Sequence, residues 1–209
     1  MSLGLRQLVE ENDELVIQQV KEFVEIFTDF ETVNKYQVLD TSGVSLGHMA
    51  EVGGGFFSFI KRQIFRSHRP LEIKVWNNGG EEILHLERPF FFFFSLMKVT
   101  SGEGKLIGYV RRRFGLIYKK YDLLDEREGL FGMVKSPIWR LWSFPILDTR
   151  ENEVGLVSKN WGGVLKEVFT DADKFGVKLP QWEYEKKAVA FACTLAVDLD
   201  FFEDNQRRR

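Results

Sequence analysis

Apolar and polar positions alternate with period two through much of the chain. In Leu71-Glu-Ile-Lys-Val-Trp76, Leu71, Ile73 and Val75 share one face, and Glu72, Lys74 and Trp76 the other. This is the pattern of a strand with one buried side. Asn77-Asn-Gly-Gly80 follows; Asn and Gly tolerate positive φ, so the spacing predicts a hairpin into Glu82 to Glu87. The pattern repeats. Lys35 to Asp40 turns at Thr41 to Gly43 into Val44 to Val52, and Phe92 to Thr100 turns at Ser101 to Gly104 into Leu106 to Arg113. Gly115 to Asp125 turns at Glu126 to Gly129 into Leu130 to Lys135, and Leu141 to Leu147 turns at Asp148 to Asn152 into Val154 to Asn160. Leu15 to Val20 and Val164 to Thr170 bring the count to about twelve strands. Leu15 to Phe27 also suits an amphipathic helix, but its branched residues favour a strand. Regular strand-turn-strand spacing predicts a mainly β fold, an antiparallel sandwich or barrel. No long Pro- or Ser-rich linker divides the chain, so one domain is expected.

The last element breaks the alternation. From Tyr184 to Phe202 there is no Gly or Pro, and Ala188 to Val197 is apolar on every side. A helix apolar all round is buried on all sides or lies in lipid. Ten residues at about 1.5 Å each reach about 15 Å, half of a bilayer core of about 30 Å. Extending the segment brings in Asp198 and Asp200, each costing about 2.5–3.5 kcal/mol deep in a membrane. A barrel closed around this helix is therefore expected, with the two carboxylates at its mouth and only peripheral contact with membranes.

Composition narrows the function. Of 209 residues, 44% are hydrophobic and 29% charged, which excludes disorder over most of the length. The net charge of −2 gives no global field for nucleic acid. A single cysteine, Cys193, excludes a disulfide scaffold and a cysteine-based zinc site, and His48, His68 and His85 are scattered. The N-terminus shows no apolar leader and Ser2 is not a myristoylation glycine. A cytoplasmic compartment fits the lone thiol. The oddity is aromatic: twenty Phe and five Trp, with Phe90 to Phe94 unbroken.

At this point the residues match a family. The chain resembles the phospholipid scramblases, which share the tubby-like fold with the tubby and LURP-one-related proteins. The stretches that carry the resemblance include Phe30 to Tyr36, Gly80 to Pro89, Ile107-Gly-Tyr-Val110 and Lys159-Asn-Trp-Gly-Gly163. Most specific are Leu165-Lys-Glu-Val-Phe-Thr-Asp-Ala-Asp-Lys-Phe-Gly-Val177 and Asp198-Leu-Asp-Phe-Phe-Glu203. The resemblance runs from about Leu15 to Glu203. It implies a closed antiparallel barrel of twelve strands around a central hydrophobic C-terminal helix. The domain boundaries expected from it are 1–14 as an N-terminal extension, 15–203 as the domain and 204–209 as a basic tail. It also implies association with phospholipid membranes and transbilayer movement of lipid. Where animal members often carry palmitoylated cysteine clusters, this chain has Gly53 to Phe59 and Phe90 to Phe94, so anchoring through cysteine is not expected.

Three features are candidates for chemistry. Asp171, Asp173 and the Val177 carbonyl resemble the calcium segment of scramblases. Calcium wants six to eight oxygens, and Phe175, Leu179 and Trp182 occupy positions where the twelve-residue loop template has ligands or a bidentate acid. Calcium binding and a plain Asp-rich turn both remain open here. Second, Lys105 to Lys120 contains six cations and no acid. Arg111 and Arg113 on one strand, and Lys119 and Lys120 on the next, are candidates for anionic headgroups; the other reading is a solvated barrel face paired with Asp122 to Glu128. Third, consecutive strand residues point to opposite faces, so Phe90, Phe92 and Phe94 are expected on one side and Phe91 and Phe93 on the other. One set is expected to face outward, with Phe91 and Phe93 as the lipid contacts; the other reading is that a loop such as Phe56 to Phe65 covers it. Trp139, Trp142 and Trp161 suit either an interface or the core, the core being favoured.

No Ser-His-Asp order, phosphate-binding glycine loop or paired-acid signature stands out. The chain therefore reads as a non-enzymatic, membrane-associated scramblase-family protein. The alternative is a lipid- or protein-binding module without transport, and a hydrolase without a recognisable motif is the third class.

Overall fold

The computed structural model describes residues 3–20, 35–52, 70–92, 94–140, 142–159 and 174–201. Twelve strands form a closed antiparallel barrel, each paired with its chain neighbours and β1 closing against β12. They are β1 (Glu14–Gln19), β2 (Lys35–Leu39), β3 (Ser45–Glu51), β4 (Leu71–Asn77), β5 (Glu82–Arg88) and β6 (Leu96–Ser101), followed by β7 (Leu106–Arg113), β8 (Tyr118–Asp125), β9 (Leu130–Pro137), β10 (Ser143–Asp148), β11 (Glu153–Ser158) and β12 (Lys174–Lys178). Two helices complete the chain, α1 (Leu3–Glu10) before the barrel and α2 (Tyr184–Phe201) after it. The barrel around a C-terminal helix is the architecture the sequence predicts.

The strand list differs from the predicted one at two places, besides β8 opening at Tyr118 rather than Gly115. Phe92 to Phe94 precede β6 rather than opening it. The twelfth strand is Lys174–Lys178, pairing with both β1 and β11, whereas Val164 to Thr170 lies outside the described residues. The segment before Leu15 is α1, whose Leu5, Leu8 and Val9 are buried in the core. Asn12 ends it by donating from its side-chain amide to the Leu8 carbonyl at 3.1 Å.

Strict alternation of strand direction gives the barrel two unlike ends. The end reached after even-numbered strands, here called the base, is closed by five tight turns of one design. A side-chain oxygen at the first residue accepts backbone N–H groups two or four residues on. Asp40 takes Ser42 and Val44, Asn77 takes Gly79 and Glu81, Asp125 takes Arg127 and Gly129, and Asp148 takes Arg150 and Asn152, all at 2.7–3.0 Å. Ser101 does the same for Lys105 at 3.2 Å. These are the side-chain mimics of a backbone turn that Asp, Asn and Ser favour. The helix α1 also packs at this end, against the start of α2.

From the base α2 runs up the barrel axis to the other end, the mouth. Every side chain from Lys187 to Asp200 is buried. Alanines at 188, 190, 192 and 196 keep the helix thin, while Phe191, Leu195 and Val197 fill the space against Val110, Tyr121, Val134 and Phe144. Gly108 on β7 permits the closest approach: a Cβ there would collide with the Leu124 carbonyl and stand 2.9 Å from Val189 Cγ2. The barrel interior is thus a packed core of helix and strand side chains. Among the described residues no helix is long and apolar enough to cross a membrane.

Candidate functional site

At the mouth the axial helix ends in a buried polar cluster. Asp200 accepts from Arg88 Nη1 at 3.0 Å and from the Tyr121 hydroxyl at 2.7 Å, and Arg112 Nη1 lies 3.3 Å from its second oxygen. Arg88 and Asp200 are both buried. Asp198 accepts from the Tyr36 hydroxyl at 3.1 Å. Burial, reinforced by the Asp200 charge, pushes the Tyr121 hydroxyl well above its ordinary range, so it stays a donor. The two carboxylates lie at the barrel mouth as the sequence predicts. Their partners Arg88, Arg112 and Tyr121 were not legible, because pairing across more than seventy residues leaves no local signal.

Above this cluster the mouth loops differ in kind from the base turns. The loop 89–95 between β5 and β6 exposes Phe92 and Phe94, the first at 75% of its surface. The loop 114–117 between β7 and β8 exposes Phe114, Leu116 and Ile117. The loop 138–142 between β9 and β10 exposes Ile138, Trp139 and Trp142. Elsewhere among the described residues the exposed large apolar side chains are Leu3, Val44 and Leu130, all near the base. The three mouth loops contain no Asp or Glu in sequence, and one cation, Arg140.

The predicted lipid contacts fall on both sides of this arrangement. Phe91 is buried at 7% exposure, with the Arg88 guanidinium over its ring at 5.3 Å. The outward residues are therefore the even-numbered Phe92 and Phe94, the reverse of the expected set. The physical reason is that the run is a loop, in which period-two alternation does not decide which rings face the core. Phe93 and the segment 56–65 lie outside the described residues. Trp139 and Trp142 are exposed rather than in the core; Trp161 lies outside the described residues.

The cations divide in the same way. Arg111 and Arg113 point outward from β7, while Arg112 between them reaches inward to Asp200. Arg111 is tied to Glu128 at 2.7 Å and Arg113 to Asp122 at 3.5 Å, so the local pairing expected for a solvated face is present. Lys119 turns inward at the mouth. Its ammonium sits 4.8 Å from the centre of the Phe144 ring and donates to the Arg140 carbonyl at 3.3 Å. Loss of hydration pulls its pKa below the ordinary lysine value. Lys120 faces outward, opposite Arg113 on one neighbouring strand and Lys135 on the other.

Of the three predicted calcium ligands the structure describes one, Val177. Val177 sits in the interior of β12, opposite Leu15 of β1 and Val157 of β11, with its side chain in the core. A strand residue paired on both sides has its backbone groups committed to the sheet, so its carbonyl does not fit the part of a loop ligand. Asp171 and Asp173 lie outside the described residues. No cluster of three or more His, Cys, Asp or Glu side chains able to hold a metal occurs among the described residues.

Comparison with known proteins settles the relationship. The family model described as Scramblase matches residues 3–204. The chain belongs to the scramblase family. It is 26% identical over 235 residues to Altered inheritance rate of mitochondria protein 25 of Saccharomyces cerevisiae, covering 93% of this chain and 72% of that protein. It is 29% identical over 205 residues to Phospholipid scramblase 1 of Mus musculus, covering 91% of this chain and 61% of that protein. The scramblase-family barrel also resembles the solved structure of a protein from Arabidopsis thaliana, with a TM-score of 0.50, 14% identity and 90% of each chain covered; this likeness concerns the fold.

Proposed function

We propose that this scramblase-family protein associates with phospholipid membranes and promotes movement of lipid between leaflets by non-covalent contact, without catalysis. The observation that carries the reading is the family match over nearly the whole chain. The packed interior adds a constraint. Among the described residues the interior is packed around α2, so lipid would be engaged on the outside or at the mouth. The test is reconstitution into vesicles holding a fluorescent phospholipid, followed by reduction of the outer-leaflet label. Loss of more than half of the signal supports transport, and a plateau at half with the protein bound to the vesicles refutes it.

The same filled interior favours a second reading, a lipid-binding module that recognises membranes and moves nothing. Binding without loss of the inner-leaflet label is its signature. Calcium modulation through Asp171 and Asp173 rests on the resemblance alone. Its signature is a melting temperature raised by millimolar calcium in the parent and not in Asp171→Ala, since a ligand that binds only the folded state stabilises it.

A further inference from the structure

The uneven distribution of apolar and charged groups between the two ends of the barrel goes beyond family membership. Monomeric proteins rarely expose a large contiguous apolar surface without a use for it. Here three successive described loops at the mouth present Phe, Leu, Ile and Trp with no carboxylate among them. Below this rim Arg113, Lys120 and Lys135 lie directly opposite one another on β7, β8 and β9. Like charges in cross-strand register are destabilising. Arg113 and Lys135 are relieved in part by Asp122 at 3.5 Å and Glu151 at 3.0 Å. Lys120, between them, has no ion pair among the described residues. Its ammonium and that of Lys135 lie 5.8 Å and 5.5 Å from the Tyr118 ring, beside Trp139.

We propose that the mouth of the barrel is a membrane-docking face, on which the apolar rim enters the headgroup–acyl boundary and the Arg113–Lys120–Lys135 row meets the phosphates of anionic phospholipids. The composition of this end argues for a bilayer. The loops expose Phe, Leu, Ile and Trp. Trp139 stands beside Tyr118, and both are of the type enriched at the level of lipid headgroups. Beside Tyr118 comes the cationic row, where anionic headgroup charge would lie. A second copy docking mouth to mouth would need carboxylates there to meet that row, and none is present on the described mouth loops. The proposal rests on the membrane-associated reading above and adds the face that makes the contact.

The experiment is flotation with phosphatidylcholine vesicles made with and without phosphatidylserine, with melting curves to confirm folding. The quadruple variant Phe92→Ser, Phe94→Ser, Leu116→Ser and Trp139→Ser is expected to partition at least about tenfold less on both vesicles. The base variant Val44→Ser with Leu130→Ser is expected to partition as the parent does. Lys120→Glu keeps the fold and relieves the repulsion in the row, so it should lose several-fold on phosphatidylserine vesicles while its melting temperature holds or rises. Vesicle binding by the folded quadruple variant equal to the parent's overturns the proposal. So does a parent protein that ignores vesicles and instead dimerises through the rim, or a Trp139 shielded from acrylamide in the free protein. The two readings fail separately. Docking through the rim without lipid movement removes transport and leaves the face. Lipid movement undiminished in the quadruple variant removes the face and leaves transport.

Discussion

Asp200 shows how a residue that looks costly in an apolar helix is made stable. An isolated ion is expensive in an apolar core. Two arginines and a tyrosine from β5, β7 and β8 converge on it. Removing Arg88 takes away the buried one of the two guanidinium partners and leaves Arg112 and Tyr121, so Arg88→Met should cost up to about 3 kcal/mol in urea unfolding. Tyr121→Phe, which removes one hydroxyl, should cost about 1–3 kcal/mol. Replacing Arg88 and Asp200 together by apolar residues should recover much of the loss, because the cation that then loses this carboxylate, Arg112, is about a third exposed and keeps access to water. A double variant no more stable than Arg88→Met alone would show that the pair acts independently of charge. Cys193 offers a second test at this scale. It is buried on α2, and burial pushes its thiol far above the ordinary value, whereas the thiolate is the reactive form. A thiol reagent should label it only after denaturation; rapid labelling of the native protein would contradict a closed core around α2.

Among the elements α2 has the largest role, since strands from around the barrel pack on it. Phe191→Ala should cost about 3–5 kcal/mol, as large-to-small changes do in closed cores. Truncation after Lys187 should abolish cooperative melting; a folded product would refute the central-helix architecture. This element was legible in the sequence because an apolar run without Gly or Pro has few other uses. The base turns were legible too, since Asn77-Asn-Gly-Gly80 and the Asp-led turns announce themselves chemically. The mouth loops were not. Phe92, Phe94, Leu116 and Ile117 read as strand because they are apolar, and a loop so rich in apolar residues looks like the strands beside it. For the same reason Phe91 was expected outside and Trp139 inside. Lys174–Lys178 was hidden for a different reason: it is five residues long, follows Asp171 and Asp173 and carries Gly176 at its centre, so it has the composition of a turn although Phe175 and Val177 alternate into the core.

At the scale of the whole molecule the two ends respond to different variables. The base depends on carboxylates. Gln181 and Lys187 hold Asp13 below the ordinary 3.8, the Ser42 hydroxyl and backbone N–H groups hold Asp40 below it, and Asn152 does the same for Asp148. A depressed folded-state pKa contributes stability that is present in full above the unfolded value and lost as pH falls through the folded one. Melting temperature should therefore be flat from neutral pH down to about 5 and fall below about 4, with Asp148→Asn shallower in that fall than the parent. The mouth depends on ionic strength. Its described loops carry Arg140 and no acid, while the five base turns carry eight acids against the three cations Lys105, Arg127 and Arg150, so an anionic surface should attract the described mouth loops and repel the base. That steering acts before contact and is screened over about 8 Å at physiological salt and about 3 Å at 1 M. Apolar insertion acts after contact and is not screened. Raising salt should thus slow association with phosphatidylserine vesicles several-fold while leaving dissociation nearly unchanged. The opposite partition, with dissociation accelerated and association constant, would mean that the cations hold the bound state and the apolar rim does not.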